Sequence, residues 1–312
     1  MEGYLITYAH AEYSLPALLS WDITHGMGEA ADTFEISFAF EASMRQPLLD
    51  AVRFRALHEG EVVFFGVVDE FEVILDQKGL IASVRGRGLQ ALLLDNEAEA
   101  AEYYGASLDF ILGRHVTPFG VSEYRAKSFT LPGLFTVASG VSNWRVLWDF
   151  AFFGGGIRPR FTRDGVLLLN GESGRILRIG GENPVLQVKY CERRYGVISE
   201  VLVKNRARGS AAVVDNSAFQ AVGGLCRRVV IMPRTAYYDA QRHTGEYQIA
   251  QSAEGASSCV VTLPQLFAAF AGDTVSFCSE PLGLYGEFDV FESRCFADGS
   301  AYGTELTLYR KV

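Results

Sequence analysis

Hydrophobic and polar residues alternate with a period of two over much of this chain. In Thr33–Phe40 the apolar set is Phe34, Ile36, Phe38 and Phe40, and the opposite set is Thr33, Glu35, Ser37 and Ala39. One face of a strand there enters a core and the other faces outward. Leu80–Arg85 repeats the pattern, with Leu80, Ala82 and Val84 against Ile81, Ser83 and Arg85. Residues 61–75 before it are β-branched, aromatic and leucine-rich, without proline. Asp76-Gln77-Lys78-Gly79 supplies turn chemistry and ends in a glycine able to take positive φ. The two runs predict an antiparallel hairpin with a four-residue loop. Gly86-Arg87-Gly88 is read as breaking the second strand, and Leu89–Leu94 as one or two helical turns before an acidic edge at Asp95, Glu97 and Glu99. Leu5–Thr7, Leu18–Thr24 and Val52–His58 are further strands. With them the residues up to 87 form a small closed or half-closed antiparallel barrel.

The period changes after residue 100. Ser107 is positioned to cap a short helix that Gly113 ends. Ser142 caps another over 143–153, where Trp144, Leu147, Trp148 and Ala151 fall on one face. Gly154-Gly155-Gly156 stops it. Ile157–Phe161 and Val166–Asn170 flank an Asp-Gly turn as a hairpin. Phe129–Val137 contains Pro132-Gly133 and reads as a broken strand. Residues 101–175 are therefore a mixed α/β insert. From Arg175 the strand pattern resumes, at 176–179, 185–190, 197–204, 211–214, 227–232, 259–263, 273–277, 286–294 and 304–309. Pro233 ends the fifth of these, and Thr235–Ala253 is helix-compatible, with Gly245 costing about 1 kcal/mol against alanine. The fold class is mainly β with an α+β insert: 1–100 a first barrel, 101–175 the insert, 176–312 a second barrel with one helix.

Composition narrows the function. The 312 residues are 49% hydrophobic and 21% charged, enough for an ample core. A net charge of −9 argues against a dedicated nucleic-acid binder, which needs a surplus of Lys and Arg. The N-terminus lacks the basic and apolar regions of a signal peptide, and no run reaches the roughly 18 apolar residues of a membrane helix, so a soluble, cytoplasmically made product is expected. Cys191, Cys226, Cys259, Cys278 and Cys295 include no CxxC pair, and no zinc site is expected.

Local motifs offer little catalysis. Gly86-x-Gly88-x-x-Ala91 mimics a dinucleotide fingerprint, but an antiparallel hairpin precedes it and the following helix is too short. Gly154-Gly155-Gly156 has no following Gly-Lys-Ser/Thr. Asp95, Glu97, Glu99 and Glu102 lack the spacing of a calcium loop. The histidines (His10, His25, His58, His115 and His243) are scattered, and no serine lies in GxSxG. Asp69 and Glu70 are candidate carboxylates for a hydrolase, but neighbours on a strand face opposite ways. No catalytic, cofactor or metal residue is assigned. Arg158, Arg160, Arg163, Arg175 and Arg178, then Arg193, Arg194, Arg206 and Arg208, form two basic stretches. They are solvated strand faces, or contacts to an acidic neighbour such as the 95–102 edge of an adjacent copy. Asp95, Glu97, Glu99, Arg193 and Arg194 are the candidate subunit-contact charges.

Two sets of motifs resemble one family. "F-x-G-x-V-D" at 64–69, the hairpin, and "V-x-G-R-G-L-x-x-L-L-L-D-N-E-A" at 84–98 resemble phage tail baseplate hubs of the late-control-protein-D type, most of all the hub of PBSX-like prophages (XkdQ/YqbQ-like). "A-G-D-T-V-x-F" at 271–277, "G-x-x-G-x-F-x-V-x-E-S" at 283–293 and "D-G-x-x-Y-G-T-E-L-T-L" at 298–308 resemble the same family independently. Residues 101–210 match in element order only. Gly66, Gly86, Gly88 and Gly272 are the structural turn glycines of these motifs. The resemblance implies two tail-tube-like barrels joined by a small α/β domain, in a non-enzymatic protein without cofactor. Three copies would form a ring adapting a hexameric tail tube to a trimeric spike, in the baseplate of a phage or phage-like contractile particle assembled in the bacterial cytoplasm. Tube, spike and other baseplate proteins are the implied partners, without specific nucleic-acid binding. The chain ends just after the second barrel, so the spike would be another protein. The alternatives are a β-rich cell-wall hydrolase and a glycan-binding module.

Overall fold

A computed structural model describes every residue except 29, 30, 78, 173, 181–183, 206–208, 233–242, 311 and 312. Lys78, Arg206, Arg208, Pro233 and the first part of the 235–253 helix therefore lie outside the described residues. The fold is mainly β, with large antiparallel sheets and few helices.

The first unit contains β1 (Glu2–Thr7), β2 (Glu12–Ser14), β3 (Leu18–Gly26), β4 (Thr33–Ala39), helix α1 (Arg45–Asp50), β5 (Ala51–His58), β6 (Glu61–Asp76) and β7 (Gly79–Gly88). Its strand order is β3-β4-β7-β6-β5-β1-β2. The alternation in β4 sends Phe34, Ile36 and Phe38 inward to meet Leu5, Ile23, Phe54, Phe64, Ala82 and Val84. Phe34 and Phe54 stack with centroids 4.3 Å apart. Strands β6 and β7 pair out to Asp76 and Gly79, so the turn is shorter than the four-residue loop read from the sequence. Gly86 and Gly88 do not break β7, because pairing continues to Gly88. They are not turn glycines, and neither is Gly66, which lies inside β6. A Cβ on Gly86 would fall 2.0 Å from the Val67 carbonyl oxygen, and one on Gly66 2.2 Å from that of Arg87. Two backbones approach here more closely than a side chain allows. Helix α1 was not expected from the pattern; Pro47 falls in its first turn, where no amide bond is lost.

The middle unit begins with α2 (Ala91–Leu94) and holds β8 (Ala101–Tyr104), α3 (Leu108–His115), β9 (Tyr124–Ala126), β10 (Leu134–Val137), α4 (Asn143–Asp149), β11 (Arg160–Phe161) and β12 (Leu167–Leu169). The Ser107 and Ser142 hydroxyls accept from the Phe110 and Arg145 amides and cap α3 and α4. Gly113 does not end α3, which runs on to His115 and closes without a glycine. Helix α4 passes into a π turn over Phe150–Gly154. Trp144, Leu147, Phe150 and Ala151 are buried with Leu108, Ile111, Leu112 and Phe135 in a core of their own.

The last unit contains β13 (Ile176–Arg178), β14 (Gln187–Glu192), β15 (Glu200–Asn205), β16 (Ser210–Asp215), α5 (Ser217–Ala221), β17 (Arg227–Met232), α6 (Gly245–Ala253), β18 (Ser257–Leu263), β19 (Thr274–Ser279), β20 (Leu284–Ala297) and β21 (Tyr302–Arg310). Strands β14-β18-β21-β20-β19-β13 bury Val261, Leu263, Val275, Phe288, Val290, Leu306 and Leu308. The strands read at 197–204, 211–214 and 227–232 are not in this sheet. They form a separate sheet ordered β16-β15-β17, because alternation marks a buried face without naming the partner strand. Helix α6 packs against β15 and β16, and Gly245 is its first residue, behind the Thr244 cap, so no mid-helix glycine cost arises.

The two β units were read as separate barrels. Strand β20 joins them: residues 284–289 pair with β19, and 292–297 pair with β3 on the same edge. The result is one 13-stranded sheet through both units. Among the described residues its pairing path is open, from β14 to β2, and no ring of ladders closes.

Candidate functional site

Across β20, β3, β4, β7 and β6 the outward face of this sheet carries a mainly polar patch. Register places Phe296, Asp22, Glu35, Arg85 and Glu70 in one row across β20, β3, β4, β7 and β6. The next row toward the hairpin tip carries Ser20, Ser37, Ser83 and Glu72. Arg294 Nε lies 3.0 Å from both carboxylate oxygens of Asp22. Arg85 grips Glu70 with bonds of 2.8 and 2.9 Å. Arg87 grips Asp69 through Nε at 2.7 Å and Asp95 through Nη2 at 2.7 Å.

The placement of Asp69 corrects the sequence reading. A bulge between Val68 and Glu70 adds one residue to β6, and both Asp69 and Glu70 turn to the polar face. Both carboxylates are nonetheless occupied by arginine. Hydrogen bonding from Arg85 holds the Glu70 carboxyl below the usual range, and Arg87 does the same for Asp95. Neither carboxyl is poised to hold a proton near neutrality, as a general acid must be. In return Asp69 and Asp95 push the Arg87 guanidinium further up. Across β20, β3, β4, β7 and β6 the acids Asp22, Glu35, Asp69, Glu70, Glu72 and Asp95 outnumber Arg85, Arg87 and Arg294 among the described residues, so this patch is acidic, while Arg53 on β5 extends the Arg87 row beyond it.

The other candidate residues sit apart. Glu97 bridges Ser142, and Glu99 is exposed. The Arg193 guanidinium donates to the Glu254 carbonyl oxygen at 3.2 Å, and Arg194 is exposed. Among the described residues no bond joins these acids to Arg193 or Arg194. Gly272 has φ of +89°, and a Cβ there would lie 2.9 Å from the Arg160 guanidinium carbon. Burial pushes the Cys259 thiol up to about 11 and raises Cys295 as well, and all five cysteines are free. Among the described residues no group of three or more His, Cys, Asp and Glu is placed to hold a metal ion, and no helix is long and apolar enough to cross a membrane.

Sequence reasoning missed two features. One is the arginine bracing of the polar face; the period-2 spacing of Arg85 and Arg87 was the available signal. The other is a half-open cavity of about 420 Å³ where the three units meet.

No protein-family model matches the chain, and no curated protein sequence matches it. Solved structures do. A tail protein from Neisseria meningitidis MC58 is 15% identical with a TM-score of 0.79, over 99% of this chain and 96% of that one. The 43 kDa tail protein of prophage MuSo2 from Shewanella oneidensis is 17% identical with a TM-score of 0.76, over 99% and 98%. The E. coli c3393 protein, a type VI secretion component described as structurally similar to the T4 tail proteins gp27 and gp5, is 12% identical with a TM-score of 0.60, over 95% and 74%. This chain therefore has the fold of the phage tail proteins, in keeping with its resemblance to baseplate hubs.

Proposed function

We propose that this chain is a structural hub of a phage or phage-like contractile tail. Three copies form a ring that adapts the hexameric tail tube to the central spike. The observation that carries the reading is the β3–β20 ladder, which fuses two antiparallel units into one sheet. Two tube-like units per chain give a trimer six similar units, which is what contact with a sixfold tube requires. The units would be 1–100 and 176–312, with 101–175 between them. Sheet edges at β2 and β14, unpaired among the described residues, are available to neighbouring copies. An acidic, arginine-braced wall turned toward the channel would repel the phosphate backbone and let DNA slide. The tube, spike and other baseplate proteins are the partners, and the particle tail is the location. A non-enzymatic role is supported by the engagement of Asp69 and Glu70 with arginine.

Light scattering of the chain, alone and mixed with tube and spike proteins from the same tail, tests this. The expected mass is near three times 34.3 kDa, with the trimer also present in the mixture. A chain that stays monomeric in both samples overturns the reading.

A further inference from the structure

The cavity at the meeting point of the three units contains an arrangement that the assembly role does not use. It is lined by the end of β3, by β9, β11 and β12, and by the 270–273 turn. In the small sheet of the middle unit Arg160 on β11 pairs with Leu168 on β12, and Leu168 pairs with Arg125 on β9. Residues directly opposed in a ladder project to the same face, so the two arginines flank Leu168 in one row. Two strand spacings put their backbones about 10 Å apart. All three residues line the cavity. Extended arginine side chains at that separation reach a common point.

Neither guanidinium has a carboxylate within ion-pair distance among the described residues. Arg160 is partly buried and, among the described residues, donates only to the Ala271 and Glu172 carbonyl oxygens, at 3.4 and 3.2 Å. Gly272 has no side chain where Arg160 passes. A guanidinium has five donors and favours a planar, bidentate acceptor, so carbonyl bonds at these lengths leave its capacity largely unused. The cavity's carboxylates are Asp32, Asp164, Glu172 and Asp273. Asp32 accepts from the Gly26 amide and lies 3.1 Å from His25 Nδ1. Asp273 accepts from the Arg175 amide and guanidinium and from the Phe270 amide. Asp164 and Glu172 are exposed. Of the remaining arginines, Arg163 is held by Glu61 and stacks on Phe270, and Arg175 is held by Asp273.

We propose that this cavity is a receptor for an oxyanion, a carboxylate or phosphate group held between Arg160 and Arg125. Titration calorimetry of the full chain with inorganic phosphate, and separately with succinate, tests it. Binding of at least one probe is expected, weakened about tenfold or more in Arg160→Gln and in Arg125→Gln. Arg228→Gln, an exposed charge on the separate sheet, leaves it unchanged. A response to phosphate alone identifies a phosphate receptor, and a response to succinate alone identifies a carboxylate receptor. Arg125 is exposed, so its variant remains readable if Arg160→Gln fails to fold. No heat with either probe, or binding that the Arg125 variant leaves at wild-type strength, overturns the proposal.

Discussion

Asp22 and Arg294 stand 272 positions apart in the chain and form a two-pronged ion pair across the β3–β20 ladder. That ladder makes one sheet of the two β units. Both side chains are over a third exposed, so solvent screens the pair. A double-mutant cycle with Asp22→Asn and Arg294→Gln, read by urea unfolding, is expected to give a coupling of about 0.5 kcal/mol. The coupling should shrink in high salt. A value several times larger would mean that the pair decides the docking of the two units.

Gly86→Ala is expected to cost about 3 kcal/mol, at the upper end of overpacking penalties. Its new Cβ meets the Val67 carbonyl oxygen at 2.0 Å, and backbone paired on both sides cannot yield. Gly60→Ala is the contrast. Gly60 has φ of +83° with no atom near its absent Cβ, so only left-handed strain of about 1 kcal/mol applies. Denaturation midpoints of the two variants give the comparison. Equal losses would show that conformational strain outweighs the clash.

How these glycines act was not legible in the sequence, although the strands around them were. The alternation of Phe34, Ile36 and Phe38 against Thr33 and Glu35 gave β4 and its facing, and the long apolar run gave β6. Alternation reports which side of a strand is buried. It does not report the partner strand, so β15, β16 and β17 were put in the wrong sheet. Nor does it register one inserted residue, so the Asp69 bulge went unseen and with it the shared facing of Asp69 and Glu70. The acidic residues of the polar face could be read individually, but their rows depend on register. The Arg125–Leu168–Arg160 row combines an antiparallel pairing with a parallel one across 43 positions, which no local pattern encodes.

Buried His115 gives the middle unit a dependence on pH. Its Nδ1 lies 2.7 Å from the Asn143 side-chain oxygen and its Nε2 3.0 Å from the Tyr103 hydroxyl. Arg114 also donates to that hydroxyl, at 3.1 Å. Burial is the main cause that lowers the His115 pKa, with the Arg114 charge a smaller one, while the Asn143 bond opposes them. The folded state therefore favours neutral imidazole more than the unfolded chain does. Its stability contribution is full above about pH 6.5, the unfolded value, and is lost as pH falls through the lower folded value. Melting temperature should thus drop as pH falls below about 6.5. His115→Gln should flatten that drop, and an unchanged slope would assign the effect to another group.

The two candidate contact groups make different demands on an assembly. Asp95 is already held by Arg87, so Asp95→Asn is expected to leave oligomer mass unchanged and to lower stability slightly. Glu97 and Glu99 are exposed and have no ion-pair partner among the described residues. The Arg194 side chain is exposed, and Arg193 bonds only a carbonyl oxygen there. These four charges are available to a neighbouring copy. If they meet across the ring, Arg193→Glu with Arg194→Glu should weaken the oligomer at low salt by about tenfold. Restoring charge complementarity with Glu97→Arg and Glu99→Arg should recover most of the loss. Raising the ionic strength should compress all of these differences, because the rim of an interface is screened. Light scattering at about 50 and 500 mM salt reads both effects. An oligomer indifferent to the double reversal at both salt concentrations would place the subunit contact elsewhere, for instance at the β2 and β14 sheet edges.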